Sequence, residues 1–351
     1  MRLGGWMNIK SKLVSLFLFV FASASGFAFA QKTRFVGDLS IKSNEADEAR
    51  SFLSVEGIAA DSKGNIYALA SREYRVQVYG PNGEYLWTIG KKGQGPGEFE
   101  MPVAIVMDND DRLCVFDFMK SAFIVFDPQG KYLKNISTKG KYLDVANRIV
   151  IDSGGHFIIG YDSVPEESFK ISRFDKKFDG VEHLYIKTGV SSLLRKPGGY
   201  VTQAPFAPEV VWAMDEKGYL YICYNNSYEI EVYSPGRELL RTISRKTVPD
   251  RVTKTEIDDI LKRSRGLLTV GDFPKYKPVL SRLFVVAGRL FVLVKRIEQA
   301  YVFHVYDRDG SFVEEINLDF QPWVWKNGHV YTMKMSRDFT ECEILRYKVS
   351  F

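Results

Sequence analysis

A chain of 351 residues that is 45% hydrophobic can bury a large core, either as one big domain or as two ordinary ones. Its net charge of +5 gives mild attraction to anionic surfaces, but no basic block of the kind that grips nucleic acid is present. Aromatic residues at 14%, with 19 Tyr and 25 Phe, favour strands over helices.

The N-terminus reads as a targeting segment. Arg2, Lys10 and Lys12 supply positive charge, Leu13 to Val20 an apolar run, and Ala28-Phe29-Ala30 a small-x-small cleavage site. A signal peptide is therefore expected over residues 1–30, with Met7 an alternative start. The apolar run is too short for a membrane span, and no Cys flanks the cleavage site. The exported chain, periplasmic or extracellular, is expected to keep no stable span. An isolated strand, Arg34 to Ile41, follows.

From Val55 onward one pattern recurs. Gly64-Asn65-Ile66-Tyr67-Ala68-Leu69-Ala70 has relatives beginning at Asp111, Gly155, Gly218, Gly288 and Gly328. In each copy a turn residue precedes a short apolar run with strand character. A second column follows at Tyr79, Phe126, Phe174, Tyr233, Tyr306 and Tyr347, most of them ending an alternating strand and leading into turns such as Gly80-Pro81-Asn82-Gly83. A further apolar run comes after each turn, and another strand lies upstream of each copy. Four short antiparallel strands per unit and six units predict an all-β, six-bladed β-propeller spanning residues 31–351 as a single domain. The last unit lacks its fourth strand. The Arg34–Ile41 segment is expected to supply it, removing an open sheet edge.

Two insertions break the rhythm, at residues 187–208 and 245–278. The second carries a helix signal: Thr253-x-x-Glu256 is a capping-box pattern, Ile257, Ile260 and Leu261 form an apolar face, and Gly266 is a stop. A short helix on one face of the propeller is expected. Basic and aromatic residues concentrate there, among them Arg251, Lys275, Tyr276 and Lys277. They read either as a docking surface for an anionic ligand or as a solvated helix face.

The clause Gly93-Gln94-Gly95-Pro96-Gly97-Glu98-Phe99 with Pro102, together with Asp61-x-x-Gly64-Asn65-Ile66-Tyr67 and Arg75-Val76-Gln77-Val78-Tyr79, resembles the NHL-repeat family of six-bladed propellers. The resemblance is specific over the first two units, fair in the fourth and faint elsewhere. It implies a binding scaffold for peptides, glycans, nucleic acid or other proteins, and architecture more than activity. The glycine-rich clause lacks the Lys-Ser/Thr ending of a phosphate loop and no helix pattern follows it, so it reads as an inter-blade turn.

The three cysteines, Cys114, Cys223 and Cys342, lack metal-type spacing, and the sequence supports no disulfide framework. The four histidines, His156, His183, His304 and His329, do not supply the three converging ligands that related zinc-using lyases need. Polar groups near the expected inner strands come closest to a site. Glu56 and Asn147 each lie eight residues before their turn glycine, Glu209 stands at a similar place, and Arg148 and Arg282 lie beside them. With Arg72 and Trp323 they form the expected ligand-binding rim of the channel. Gluconolactonase-like propellers hold calcium with Glu, Asn and Asp, so the same groups leave calcium open, although Val103 and Val210 are apolar at the matching positions. No Gly-x-Ser-x-Gly elbow or Cys/His pairing supports nucleophilic catalysis.

The expectation is an exported, monomeric, non-catalytic binding propeller that recognises a protein, peptide or glycan ligand at its channel face, with no catalytic residue, no resident metal or cofactor and no nucleic-acid partner. A metal-dependent lactonase- or lyase-type enzyme and a structural component of an envelope complex are the alternatives.

Overall fold

The computed structural model describes residues 32–43, 51–52, 54–141, 146–163, 166–190, 192–196, 201–297, 300–336 and 342–351. The signal peptide expected over residues 1–30 lies outside the described residues. Strand β1 (Arg34–Lys42) comes first. The first blade is β2 (Gly57–Ala60), β3 (Ile66–Ala70), β4 (Arg75–Tyr79) and β5 (Tyr85–Ile89). The second is β6 (Pro102–Met107), β7 (Leu113–Asp117), β8 (Ala122–Phe126) and β9 (Tyr132–Ser137). The third is β10 (Ala146–Ile151), β11 (Phe157–Ser163), β12 (Ser168–Phe174) and β13 (Val181–Thr188). A small hairpin, β14 (Leu193–Arg195) with β15 (Val201–Gln203), precedes the fourth blade of β16 (Val210–Met214), β17 (Leu220–Tyr224), β18 (Glu229–Tyr233) and β19 (Leu239–Ser244). Helix α1 (Lys254–Arg263) is followed by the fifth blade, β20 (Arg282–Val286), β21 (Arg289–Ile297), β22 (Ala300–Tyr306) and β23 (Phe312–Leu318). The sixth has β24 (Val324–Lys326), β25 (His329–Met335) and β26 (Cys342–Ser350).

Each blade is a four-stranded antiparallel sheet in chain order, except the sixth, whose order is β1-β26-β25-β24. β1 thus closes the ring, running from Arg34 opposite Ser350 to Lys42 opposite Glu343. Burial follows radial position. Every residue of β3, β7 and β8 is buried, because a middle strand has a neighbouring blade on both faces. In the outermost β9 only Ile136 is buried.

The first hairpin turn of blades one to four is built alike. Oδ1 of Asp61, Asp108, Asp152 and Asp215 each accepts hydrogen bonds from the backbone N–H groups two and four residues on, at 2.8–3.0 Å. The last two blades instead turn through Ala287-Gly288 and Asn327-Gly328, with both residues at positive φ, the backbone that matches the twist of a two-residue hairpin. In the glycine-rich clause, Phe99 is fully buried. Its ring lies where a Cβ on Gly90 (φ 79°) would come within 2.1 Å. Cys114, Cys223 and Cys342 are free and buried.

Both insertions connect the outermost strand of one blade to the innermost strand of the next, so they emerge on the same face of the disc. α1 begins at the expected capping box, in which the Thr253 hydroxyl accepts from the Glu256 N–H and the Glu256 carboxylate accepts from the Thr253 N–H. Ion pairs of 2.5 Å tie Lys277 to Glu256 within the second insertion and Lys196, after β14, to Asp272 across the two insertions. The β14–β15 hairpin has no counterpart in the sequence reading. Three-residue strands amid Gly, Pro and Ser leave too short a run for periodicity to register.

Candidate functional site at the channel mouth

The innermost strands β2, β6, β10, β16, β20 and β24 each leave their inner edge unpaired in the sheet, and together they wall a central cavity of about 930 Å³. Glu56, Glu209 and Trp323 precede or open their inner strands and Arg282 begins β20, so these side chains stand at the mouth on the face that carries both insertions. They line the cavity together with Asn147 and Arg148 of β10. Arg72 does not line it. It is an exposed residue of a 3-10 turn, Ser71–Glu73, between the second and third strands of its blade. That connection lies radially outside the inner strand, which is why sequence adjacency to β3 misplaced it on the rim.

Arg148 is the deepest of the set and is held by the inner strands of the next two blades. Its Nη1 donates to the carbonyl oxygens of Trp212 at 2.7 Å and Leu283 at 2.9 Å, so a side chain from the third blade spans the fourth and fifth. Its guanidinium carbon lies 5.9 Å from the Trp212 ring centroid and 5.7 Å from that of Phe284, within reach of a cation–π attraction. Burial, with the Arg282 charge adding to it, pulls its pKa down to about 10, so the group stays a cation at neutral pH. Asn147 turns sideways: its Oδ1 accepts from the Trp212 indole N–H at 3.2 Å and its Nδ2 donates to the Val210 carbonyl. The Glu56 carboxylate accepts from the Ser71 N–H at 2.8 Å and from the Ser54 hydroxyl.

The acids respond to the same enclosure. Burial raises the Glu209 carboxyl above its ordinary value; the negative charge of Asp162 adds to the rise, and Arg282 opposes it. Asp162 on β11 is pushed up by burial to about 6, against a hydrogen bond from Ser192. Burial also lowers Arg282, with Glu209 acting against it. Glu209 and Arg282 thus feel one another, yet among the described residues neither Arg148 nor Arg282 forms a salt bridge.

A family described as a six-bladed β-propeller matches residues 54–232, half of the chain. The chain belongs to that family. The family description gives the blade count and not the repeat type. No curated protein matches this propeller's sequence. Among solved structures it is similar to a candidate exported protein from Bacteroides fragilis, at 11% identity and a TM-score of 0.54, covering 91% of this chain and 96% of that one. A protein from Bacteroides vulgatus is similar at 10% identity and a TM-score of 0.57, covering 91% and 99%. A virginiamycin B lyase from Staphylococcus aureus also matches, at 9% identity, a TM-score of 0.49 and coverage of 90% and 99%, too distant to bear on activity.

Six of the seven expected rim residues therefore meet in one cavity of this propeller, with cations, acceptor carboxylates and indole rings on its wall. Gln203, Trp212, Phe284 and Trp325 line it as well. None of these four carried a signal in the sequence beyond lying near an inner strand or an insertion. Of the oxygen donors considered for calcium, Asn147 bonds Trp212 and Glu56 bonds Ser54 and Ser71, whereas the Glu209 carboxylate makes no hydrogen bond among the described residues. Among the described residues no three His, Cys, Asp or Glu side chains gather into a ligand cluster. No helix of the described residues is long and apolar enough to cross a membrane.

Proposed function

We propose that this protein is an exported, non-catalytic binding propeller whose ligand, a protein segment, peptide or glycan, enters the central channel at the face bearing the two insertions. The observation that carries the reading is the 930 Å³ cavity itself. It is concave, mixes apolar walls with a few convergent polar groups, and holds arginines without a salt bridge among the described residues, the composition expected of a ligand site. The signal-type segment at residues 1–30 supports export. So does the likeness to a candidate exported protein of the same fold.

A ligand screen by thermal shift tests the proposal. Peptide and glycan pools are applied to the wild type and to a Glu209→Gln/Trp323→Ala variant. Binding that raises the melting temperature of the wild type and is lost in the variant supports it. A ligand whose shift survives in the variant places the site elsewhere.

A catalytic reading has one observation in its favour: burial raises the carboxyls of Glu209 and Asp162, the latter to about 6, and a carboxyl raised toward neutrality is suited to general acid–base work. Product formation from a bound ligand would establish it.

A further inference from the structure

Resting on the channel reading above, we infer that the ligand is an acidic saccharide, its carboxylate seated on Arg148 and Arg282 and its hydroxyls on Glu209 and Glu56. The charge pattern of the cavity carries this. Arg148 and Arg282 line the same cavity, the Arg282 charge bears on Arg148, and among the described residues no carboxylate lies within salt-bridge distance of either. Arg148 spends Nη1 on two carbonyls, and no bond from its Nε or Nη2 is made within the described residues, so donors remain for an incoming anion. Two guanidinium groups in a partly dehydrated cavity favour a planar, bidentate oxyanion such as a carboxylate.

A simple anion does not explain the remaining wall. Glu209 and Glu56 face the same cavity and would repel a compact dianion such as phosphate. As acceptors they suit a ligand that brings O–H donors a few ångströms from its negative group. Trp323 and Trp325 add indole surface on the sixth blade, the kind of flat, partly apolar face that the C–H side of a sugar ring covers. Gln203, from the β14–β15 hairpin, and Ser281 contribute neutral hydrogen-bonding groups at the same mouth. An anion, several hydroxyls and a ring face belong together in an oligosaccharide containing uronic acid. A peptide ending in a carboxylate shares only the first of these.

The test uses the full propeller and three probes: trigalacturonate, its methyl ester, which keeps the sugar and removes the charge, and a tetrapeptide with a free C-terminal carboxylate. Binding is read by calorimetry and by saturation-transfer NMR, which also reports any cleavage. The expected result is that trigalacturonate binds at least about tenfold more tightly than its ester, the scale of one charge-assisted hydrogen bond. Arg282→Met and Arg148→Met should each abolish that preference, whereas Trp323→Ala should weaken acid and ester alike. Circular dichroism and melting confirm that each variant is folded. Arg282 begins β20 at the cavity mouth and its side chain makes no hydrogen bond or salt bridge among the described residues, so its variant keeps the test decisive even where Arg148→Met loses stability. No binding of trigalacturonate, or binding indifferent to the ester and to both arginine variants, overturns the inference. Arginine-dependent binding of the tetrapeptide alone overturns it too, while leaving the channel reading intact. Cleavage of trigalacturonate keeps the ligand class and ends the non-catalytic reading.

Discussion

Replacing Arg148 by Met separates what this side chain does for the ring from what it does for a ligand. Holding the guanidinium in the fold at a pKa of about 10, against 12.5 in water, costs about 3 kcal/mol at about 1.4 kcal/mol per pKa unit. Against this stand two charge-assisted hydrogen bonds to Trp212 and Leu283, each contributing about 1.5–3 kcal/mol, and the ring contacts to Trp212 and Phe284. The opposing contributions nearly cancel. Met keeps the contact with both rings, and the two released carbonyls face a cavity wide enough for water to replace the guanidinium. The expected destabilisation is therefore below about 2 kcal/mol. Urea unfolding with tryptophan fluorescence measures it as a shift of midpoint at unchanged slope. A loss above about 4 kcal/mol, the size seen when a buried charge network is broken, would refute this balance and make Arg148 a structural tie.

Three further outcomes follow from the same geometry. Asp162→Asn should stabilise the protein at pH 7 by about 2 kcal/mol and have no effect near pH 4. The wild-type carboxyl, raised to about 6 in the fold, binds its proton more tightly there than unfolded, so its stability contribution is full below about pH 4 and is lost as pH rises to about 6. Melting curves across that range decide it, and a pH-independent difference would contradict the assignment. Gly90→Ala should cost about 2–4 kcal/mol, combining a left-handed backbone with a collision against Phe99; a denaturation midpoint within about 1 kcal/mol of wild type would show that Phe99 can yield. Ile41→Asp places a carboxylate in the closing strand at a residue 6% exposed. It should lower stability by more than about 3 kcal/mol and produce aggregates on gel filtration through the uncovered edge of β26; an unaltered monomer peak and melting curve would argue against closure by β1.

Most of the architecture is legible in the sequence because each blade writes it locally. A turn residue, a run such as Ile66 to Ala70 and a closing aromatic such as Tyr79 need only neighbours to be recognised. Closure by Arg34 to Lys42 is legible for another reason: the last repeat is one strand short. The site is legible only in part. Glu56, Glu209, Arg282 and Trp323 sit at predictable places near inner-strand starts. What Arg148 touches does not, because its partners on β16 and β20 are brought to it by the angle between blades, a quantity no single repeat encodes. Asp162 escapes notice for the same reason. Its enclosure comes from Ser192 and Glu209 on later segments, and its own strand reads as ordinary core. Arg72 shows the converse error, a charged residue in the right loop layer at the wrong radius.

The pairing of β1 with β26 joins positions as far apart as Asp38 and Arg346, separated by 308 in the chain. The first five blades each form from their own stretch of sequence and the sixth borrows β1 from the other end of the chain, but the cavity has no partial form, since its wall takes one strand from each of the six. A chain with five finished blades has most of its core and no closed cavity. On the proposed binding role, a ligand in the channel would act as a thermodynamic clasp, associating only with the closed ring and drawing the open one toward closure by mass action. In such a molecule occupancy and completeness report on each other, and a bound ligand marks a chain that has finished folding.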